Sequence, residues 1–359
     1  MRIKLNAAVR GDSIMPYPPY VKVSGRFTVE VSALTGSGNI GNYNQVATAK
    51  VVVPDGNTYR VYDNVPIITG NALKHWHAVY LAQEYVKLGG SLLNILCKHG
   101  VGLRGYKYDV NDMNTESLNY VDKEQEAIID LCNDLHGFLI PDKQLKRDTL
   151  VEISHAIPLL TVDNIESTVK FAIQHNRVVP KQVTKGEGEG MMVFKQEYAS
   201  GPLYGFAISM DLGWILRPRY EGDGSIISLP SNINIDEERK RRARAALLAV
   251  LNMLMGSGSK QARSLPITSI KELMIVVSDA PIPNLVHGAY PDYVKQSIAI
   301  LEAYASIVSE AHVYVHCYGI GECGSSTTLK NISVKGHVNL RDLFDEVIKE
   351  VEDMIMKYK

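Results

Sequence analysis

No stretch of this 359-residue chain approaches the roughly 18 apolar residues that span a bilayer, and its opening residues, "MRIKLNAAVRGDS", lack a signal's apolar run. The expectation is a soluble, cytoplasmic protein with no membrane partner. An excess of either charge is missing too. Lys plus Arg is 38 and Asp plus Glu is 39, a net charge of −1, so any basic surface must be local. Only four cysteines occur, Cys97, Cys132, Cys317 and Cys323, and none has C-x-x-C spacing. That indicates neither a zinc knuckle nor a redox dithiol. G-x-S-x-G, H-E-x-x-H and the P-loop spacing are also absent, so no nucleophile or phosphate-hydrolysis constellation is on view. His75 and His77, two apart on a helical stretch, fall on different faces and are no ligand pair. The nearest approach to a metal cluster is "HVYVHCYGIGEC", with His312, His316, Cys317 and Cys323. Strand alternation would put both histidines on one face, where a hydrogen-bonded histidine is commoner than a ligand. No metal and no cofactor is expected.

What is present is ordinary globular material, 45% hydrophobic and 21% charged, long enough for a large core. One stretch invites a specific reading. "TGSGNIGNYN" places Gly36, Gly38 and Gly41 in the dinucleotide-binding spacing G-x-G-x-x-G. That reading needs a helix opening on the glycines and an acidic residue about 20 residues on. Instead the loop leads from a strand into a β pair around Pro54-Asp55-Gly56-Asn57, and neither Asp55 nor Asp63 holds the ribose position. No helix N-terminus is there to receive a pyrophosphate, and the nucleotide reading fails.

Along the chain, "PYVKVSGRFTVEVSAL" alternates as a long strand, with a bulge expected at Gly25. A helix is predicted from a cap at Asn71, and residues 72 to 140 read as mostly helical. "QHNRVVPKQVTKGEGEGMMVFKQEYASG" reads as two β runs around a polar loop, a protruding hairpin. "LYGFAISMDLGWIL" is a core strand. "DEERKRRARAALLAVLNMLMG" has an acidic first turn and a stripe of Ala243, Leu247, Val250, Leu251 and Leu254, which predicts a helix ended by Gly256. "KELMIVVSDAP", "PDYVKQSIAILEAYASIV", "AHVYVHCYG" and "LRDLFDEVIKEVEDMIMKY" come next as strand, helix, strand and helix. The reduced order is strand, helix, β pair, helix, strand. That is the split βαβ pattern of ferredoxin-like and RRM-like α+β domains, here one domain with insertions.

Two glycine-rich segments could meet a phosphate backbone. Gly36 to Asn44 supplies Ser37, Asn39, Asn42 and Asn44 as uncharged donors, flanked by Arg26 and Lys50. Such a loop can wrap a backbone that carries no sequence information. "MLMGSGSKQARSLP" supplies Gly256, Ser257, Gly258 and Ser259, with Lys260 and Arg263 beside them. The basic run Arg239, Lys240, Arg241, Arg242 and Arg244 comes directly after Asp236, Glu237 and Glu238. A solvated, paired face is expected for Lys240 and Arg241, with Arg242 and Arg244 left open.

Five blocks in order, "VSGRFTVEVSALTGSGNIGNYN", "VPIITGNALKHWHA", "KRDTLVEISHAIP", "VFKQEYASGPLYGFAISMDL" and "GSGSKQARSLP", resemble the DevR-type CRISPR-associated family. This family is the CRISPR-RNA-binding backbone subunit of Cascade, and the likeness is nearest to the archaeal type I-A form. The resemblance implies an RRM-like palm spanning 1–359, helical fingers at about 72–148 and a thumb hairpin at about 176–200. It implies a non-catalytic subunit that polymerises with copies of itself along CRISPR RNA, beside other Cascade subunits, and meets the target DNA strand through the guide in antiviral defence. Carried over by motif, Ser24 and Arg26 would lie on the palm strand, Lys74 and His75 at the finger helix, and Met191 or Met192 would wedge the RNA. Arg147 and Lys50 complete the expected RNA-contact set. Related type III subunits cut RNA with an Asp near the first glycine loop. Residues 35 to 45 contain no acidic residue, so slicing is not expected. The rival readings are a metal-dependent endoribonuclease on the same scaffold and, more weakly, a nucleic-acid-binding regulator.

Overall fold

The structure, a computed structural model, describes residues 17–114, 118–178, 191–256, 265–308, 310–321, 323 and 329–358. The chain opens with β1 (Tyr20–Ser32), whose period of two sorts its residues cleanly. Val21 and Val23 enter the main core, while Lys22, Ser24 and Arg26 face the other side. Its register slips between Arg26 and Phe27, one residue past the bulge expected at Gly25. Then come β2 (Gly36–Ile40), β3 (Tyr43–Val46) and the separate antiparallel pair β4 (Thr48–Asp55) and β5 (Thr58–Pro66).

Helix α1 (Gly70–Lys87) starts one residue before the expected cap. Thr69, not Asn71, is the N-cap, and its hydroxyl accepts the Ala72 N–H at 3.3 Å. Residues 88 to 140 are far less helical than periodicity predicts. Their described residues hold α2 (Ile95–Lys98), α3 (Glu124–Ala127), α4 (Leu131–His136) and β6 (Phe138–Ile140), and β7 (Leu145–Arg147) comes next. Local caps break the helix there. Asn94 Oδ1 takes the Cys97 N–H, Asp130 takes those of Asn94 and Asn133, and Gly137 ends α4 at a φ of 68°. A disulfide joins Cys97 to Cys132 across this segment and a second joins Cys317 to Cys323, neither of them readable from spacing.

Next are β8 (Val151–Ile153), β9 (Ile157–Pro158), α5 (Val162–Glu166), β10 (Val169–Val178) and the 21-residue β11 (Met191–Asp211). Helix α6 (Ile235–Gly256) matches its predicted span, and Ala243, Leu247, Val250 and Leu254 of its stripe are buried. The chain closes through β12 (Ile267–Ser278), α7 (Tyr293–Ile307), β13 (Val313–Tyr318), β14 (Ile332–His337) and α8 (Leu340–Lys357). Among the described residues no helix is long and apolar enough to cross a membrane.

One mixed sheet organises these elements, in the order β14-β13-β12-β1-β11-β3-β2, with β8, β9 and β10 also paired to β11. At its centre β12, β1, β11 and β8 are neighbours and all antiparallel. Helix α1 falls between β1 and β8 in the chain, and α6 between β11 and β12. Both helices share the main core with Val21, Val23, Phe27 and Phe206. A smaller core under α7 covers the opposite face of β12 and β13. The opposite face of β1 and β11 is covered too, by residues 282 to 291. Gly288 N–H donates to the Phe206 carbonyl at 3.3 Å, and a Cβ on Gly205 or Gly288 would strike Ala289 or Gly25. Glycine is required at both positions because two backbones meet there without a side chain between them.

Candidate nucleic-acid interface

The glycine-rich stretch is not a loop but the hairpin β2–β3, with Gly36 opposite Val46, Gly38 opposite Gln45 and Asn39 opposite Asn44. Gly38 has φ 138° and Gly41 φ 57°, conformations that side chains resist, and nothing lies within 4 Å of where their Cβ atoms would sit. These glycines therefore serve backbone shape and exposure, not packing. All five residues of β2 are exposed, including Gly36, Ser37 and Asn39, and Asn42 in the turn is exposed as well. Ser37 Oγ donates to the Val46 carbonyl at 3.2 Å, and the Asn42 carbonyl accepts the Lys195 N–H at 2.8 Å.

That last bond joins two features the sequence presented separately. Strand β3 runs parallel to β11 at Lys195 and Gln196, while β10 pairs the other side of β11 from Val169↔Ser200 to Val178↔Met191. Asn44 Nδ2 donates to Gln196 Oε1 at 3.2 Å, and Glu197 accepts from Tyr43 Oη at 2.5 Å and from the Val46 N–H at 2.9 Å. The glycine hairpin and the expected thumb hairpin are thus one arm of β2, β3, β11 and β10. Its ring pairs are His175 with Phe194, centroids 5.1 Å apart, and Phe171 with Tyr198, 6.2 Å apart. Val169, Phe171 and Ile173 are exposed along it. Met191 is placed by its backbone pairing alone, and residues 179–190 lie outside the described residues.

A second cluster forms where the hairpin's base meets α1. Thr69 N–H donates to Thr35 Oγ1 at 3.1 Å, and Gly70 N–H donates to His155 Nδ1 at 2.7 Å. Lys74 comes next on α1, half-buried, its pKa lowered by desolvation and then by Arg104. His75 lies edge-on to Trp76 at 5.7 Å, and Trp76 stacks on Tyr80 at 6.0 Å. Gly256, at the end of α6, abuts the Tyr80 hydroxyl. Sequence reasoning did not single out His155, Trp76 or Tyr80 for this site. The available signal was an unpaired-looking histidine between two short strand runs. Ser257, Gly258, Ser259, Lys260 and Arg263 lie outside the described residues.

Several expected contacts are corrected. Ser24 is fully buried and its hydroxyl donates to the Val286 carbonyl at 2.8 Å. Arg26 is 8% exposed and spans the Gly288, Tyr290 and Pro291 carbonyls at 2.8 to 2.9 Å, with Glu272 at 3.3 Å. Both face the sheet surface that residues 282 to 291 cover, so neither meets a groove. Arg147 is buried, 3.1 Å from Glu124 and 2.7 Å from Asp134. Lys50, by contrast, is exposed on the β4–β5 pair, 2.9 Å from Asp63, and is not contradicted.

The basic run is also accounted for inside the protein. Arg242 is buried between Asp134 at 2.8 Å and Glu238 at 2.9 Å and donates to the Ile128 and Ile129 carbonyls. Burial opposes its charge, but Glu238 and Asp134 outweigh burial and raise its pKa. Arg239 is buried and donates to the Gly213 carbonyl at 3.3 Å, its pKa lowered to about 10 by desolvation and then by Arg217. Lys240 pairs with Glu237 and Arg241 with Glu238, as expected, and Arg244 grips Glu352 through two bonds at 2.8 and 3.0 Å.

The metal reading of the C-terminal histidines changes as well. His312 binds Asp279 at 2.9 Å, Cys317 and Cys323 are joined, and His316 turns instead to His337 and Glu350.

Comparison with known proteins places these observations. A family model described as CRISPR-associated negative auto-regulator DevR/Csa2 matches residues 23–298. The chain is 50% identical over 339 residues to a CRISPR-associated protein Cas7/Cst2/DevR of Thermoproteus tenax, covering 92% of this chain and 95% of the relative. A protein of the same name from Methanocaldococcus jannaschii is 32% identical over 318 residues, 86% of this chain and 96% of the relative. A chain of a solved structure described as a CRISPR RNA-guided surveillance complex, pre-nicking, overlays with a TM-score of 0.44 at 13% identity, covering 92% of this chain and all of that one.

Proposed function

The chain belongs to the CRISPR-associated DevR/Csa2 family, and from that premise we propose that it is a CRISPR-RNA-binding backbone subunit of a Cascade-type surveillance complex. Copies line up along one guide in the cytoplasm, beside other Cascade subunits, and the guide pairs with the target DNA strand. The palm is RRM-like: β12-β1-β11-β8 with α1 and α6 has the element order and the antiparallel pairing of that fold. Unlike a bare RRM, its open face is closed by residues 282 to 291. RNA is therefore gripped at the edge, by the arm and by the start of α1.

The observation that carries this reading is the joining of the glycine hairpin to the β10–β11 arm. Backbone amides and the Asn39 and Asn42 side chains offer hydrogen bonds that any phosphate or ribose accepts, which suits a guide whose sequence varies. The aromatic pairs on the arm and the His75-Trp76-Tyr80 row suit stacking on bases, which is sequence-tolerant. The subunit is non-catalytic in this reading. Glu197, the carboxylate beside the hairpin, is 5% exposed and its oxygens already accept from Tyr43 and Val46.

Fluorescence anisotropy with a CRISPR RNA and an unrelated RNA of equal length tests the proposal. Comparable affinities are expected, falling roughly tenfold or more between 50 and 200 mM salt as counterions released from the phosphates lose their advantage. Affinity that ignores salt, or RNA that shortens in Mg²⁺ or Mn²⁺ and survives with chelator, overturns the reading.

A further inference from the structure

At the sheet edge opposite the arm, three elements bring imidazole and carboxylate groups together. Alternation along β13 sends Val313, Val315 and Cys317 into the α7 core and His316 toward α8. The parallel register sets Lys335 beside His316 and His337 beside Tyr318. Glu346 and Glu350 are four apart on α8, one turn on one face. His316 Nδ1 is 3.0 Å from His337 Nε2, and His337 Nε2 is 3.5 Å from Glu346 Oε2. The two imidazoles are 97% shielded and the carboxylate is one-third exposed.

We propose that His316, His337 and Glu346 form a binding site for a divalent cation of borderline softness, Zn²⁺ or Co²⁺, that clamps β13, β14 and α8 together. Three arguments support it. A tetrahedral ion at its usual bond lengths holds ligand atoms roughly 3.3 Å apart, and the 3.0 and 3.5 Å spacings bracket that value. The outer groups are in place as well. Glu350 Oε2 lies 2.8 Å from His316 Nε2 and fixes the tautomer that leaves Nδ1 free to ligate. Lys335 Nζ holds Glu346 Oε1 at 2.6 Å, which leaves Oε2 for the ion. Finally, the two carboxylates and one ammonium around the imidazoles sum to one negative charge, so a cation is attracted. Two nitrogens among three ligands select Zn²⁺ or Co²⁺ over Mg²⁺ or Ca²⁺, which take oxygen ligands. The fourth position falls to water at the half-open side of Glu346.

The test uses the full chain without a polyhistidine tag, stripped by chelator and then dialysed against Co²⁺ or Zn²⁺. One ion per chain is expected, with a four-coordinate Co²⁺ visible spectrum free of thiolate charge transfer and a raised melting temperature. His337→Ala should abolish uptake. Glu350→Gln should weaken it about tenfold or more, as loss of an orienting partner does. His312→Ala should leave it intact. Glu346→Gln, at a part-exposed position, serves should the histidine variant fail to fold, and should also lose the ion. No stoichiometric uptake, a thiolate band, or uptake that survives both His337→Ala and Glu346→Gln overturns the site.

Discussion

The buried arginine cluster and the glycine arm use opposite materials. Around Asp134, Arg147 and Arg242 are fully withdrawn from water, and every charge finds carboxylates and carbonyls. On the arm, β2 lies wholly exposed, and what it presents to solvent is backbone, serine and asparagine. Much of the basicity that the sequence displays therefore goes into holding the fold together. The hairpin proposed to meet RNA is itself uncharged, so the expected salt dependence rests on exposed cations beside it, such as Lys195 on β11. A net charge of −1 is then no obstacle to RNA binding, because the count of arginines says little about where they point.

The comparison breaks most severely at Asp134, which bridges both buried arginines and accepts the Leu216 N–H at 3.1 Å. Asp134→Ala leaves two buried cations short of a partner and should cost about 3–5 kcal/mol in urea unfolding. A loss below about 1 kcal/mol would mean that the cluster is hydrated. Arg26→Gln comes next, abandoning the Gly288, Tyr290 and Pro291 carbonyls. It should cost roughly 2–3 kcal/mol and leave the salt slope of RNA binding unchanged.

Acid sharpens the same contrast, since the buried half also holds neutral titratable groups. His77 Nε2 donates to the Ala246 carbonyl at 3.0 Å, and its Nδ1 meets His136 Nε2 at 3.0 Å. Burial lowers the His77 pKa to about 4 and pushes His136 well below its ordinary value. Between about pH 6.5 and 4 the unfolded chain binds protons that the folded histidines refuse, so stability is lost as pH falls. Burial raises the Asp130 pKa to about 6, which works the other way between 3.8 and 6. With two histidines against one carboxyl, the melting temperature should drop between about pH 6.5 and 4. His77→Gln should flatten the profile. A profile that rises toward acid would contradict the buried histidine pair.

At the small end is Lys50→Ala. Its pair with Asp63 is about two-thirds exposed, so stability should change by less than about 0.5 kcal/mol by calorimetry.

Where periodicity is strong, the structure is legible in the sequence. Helices α6 and α8 and strands β12 and β13 keep to their apolar patterns, because burial on one face writes itself into every third or second residue. The β pair downstream of the glycine segment correctly separates it from a nucleotide loop. Its pairing with β11, about 150 residues on, is invisible in the sequence because strand partners leave no local trace. Arg26 and Arg147 mislead for a related reason: a charged residue announces neither its burial nor its partner. His316 stands out in the sequence, but its companions His337 and Glu346 lie 21 and 30 positions further along, on another strand and a helix. Residues 88 to 140 hold less helix than their apolar pattern suggests because extended N-caps at Asn94 and Asp130 and the positive φ of Gly137 confine it to short separate turns.

The most direct test pairs two variants in one assay, guide-RNA affinity alongside thermal melting. Gly38→Val with Gly41→Val, at backbone angles valine resists, should distort the edge hairpin, lower the melting temperature by only a few degrees and weaken RNA binding by about tenfold. Arg26→Gln should lower the melting temperature and leave the affinity of the folded protein intact. A hairpin variant that binds guide RNA as well as the parent, or an Arg26 variant that stays folded yet loses RNA, would contradict the assignment of arginines to the fold and glycines to the grip.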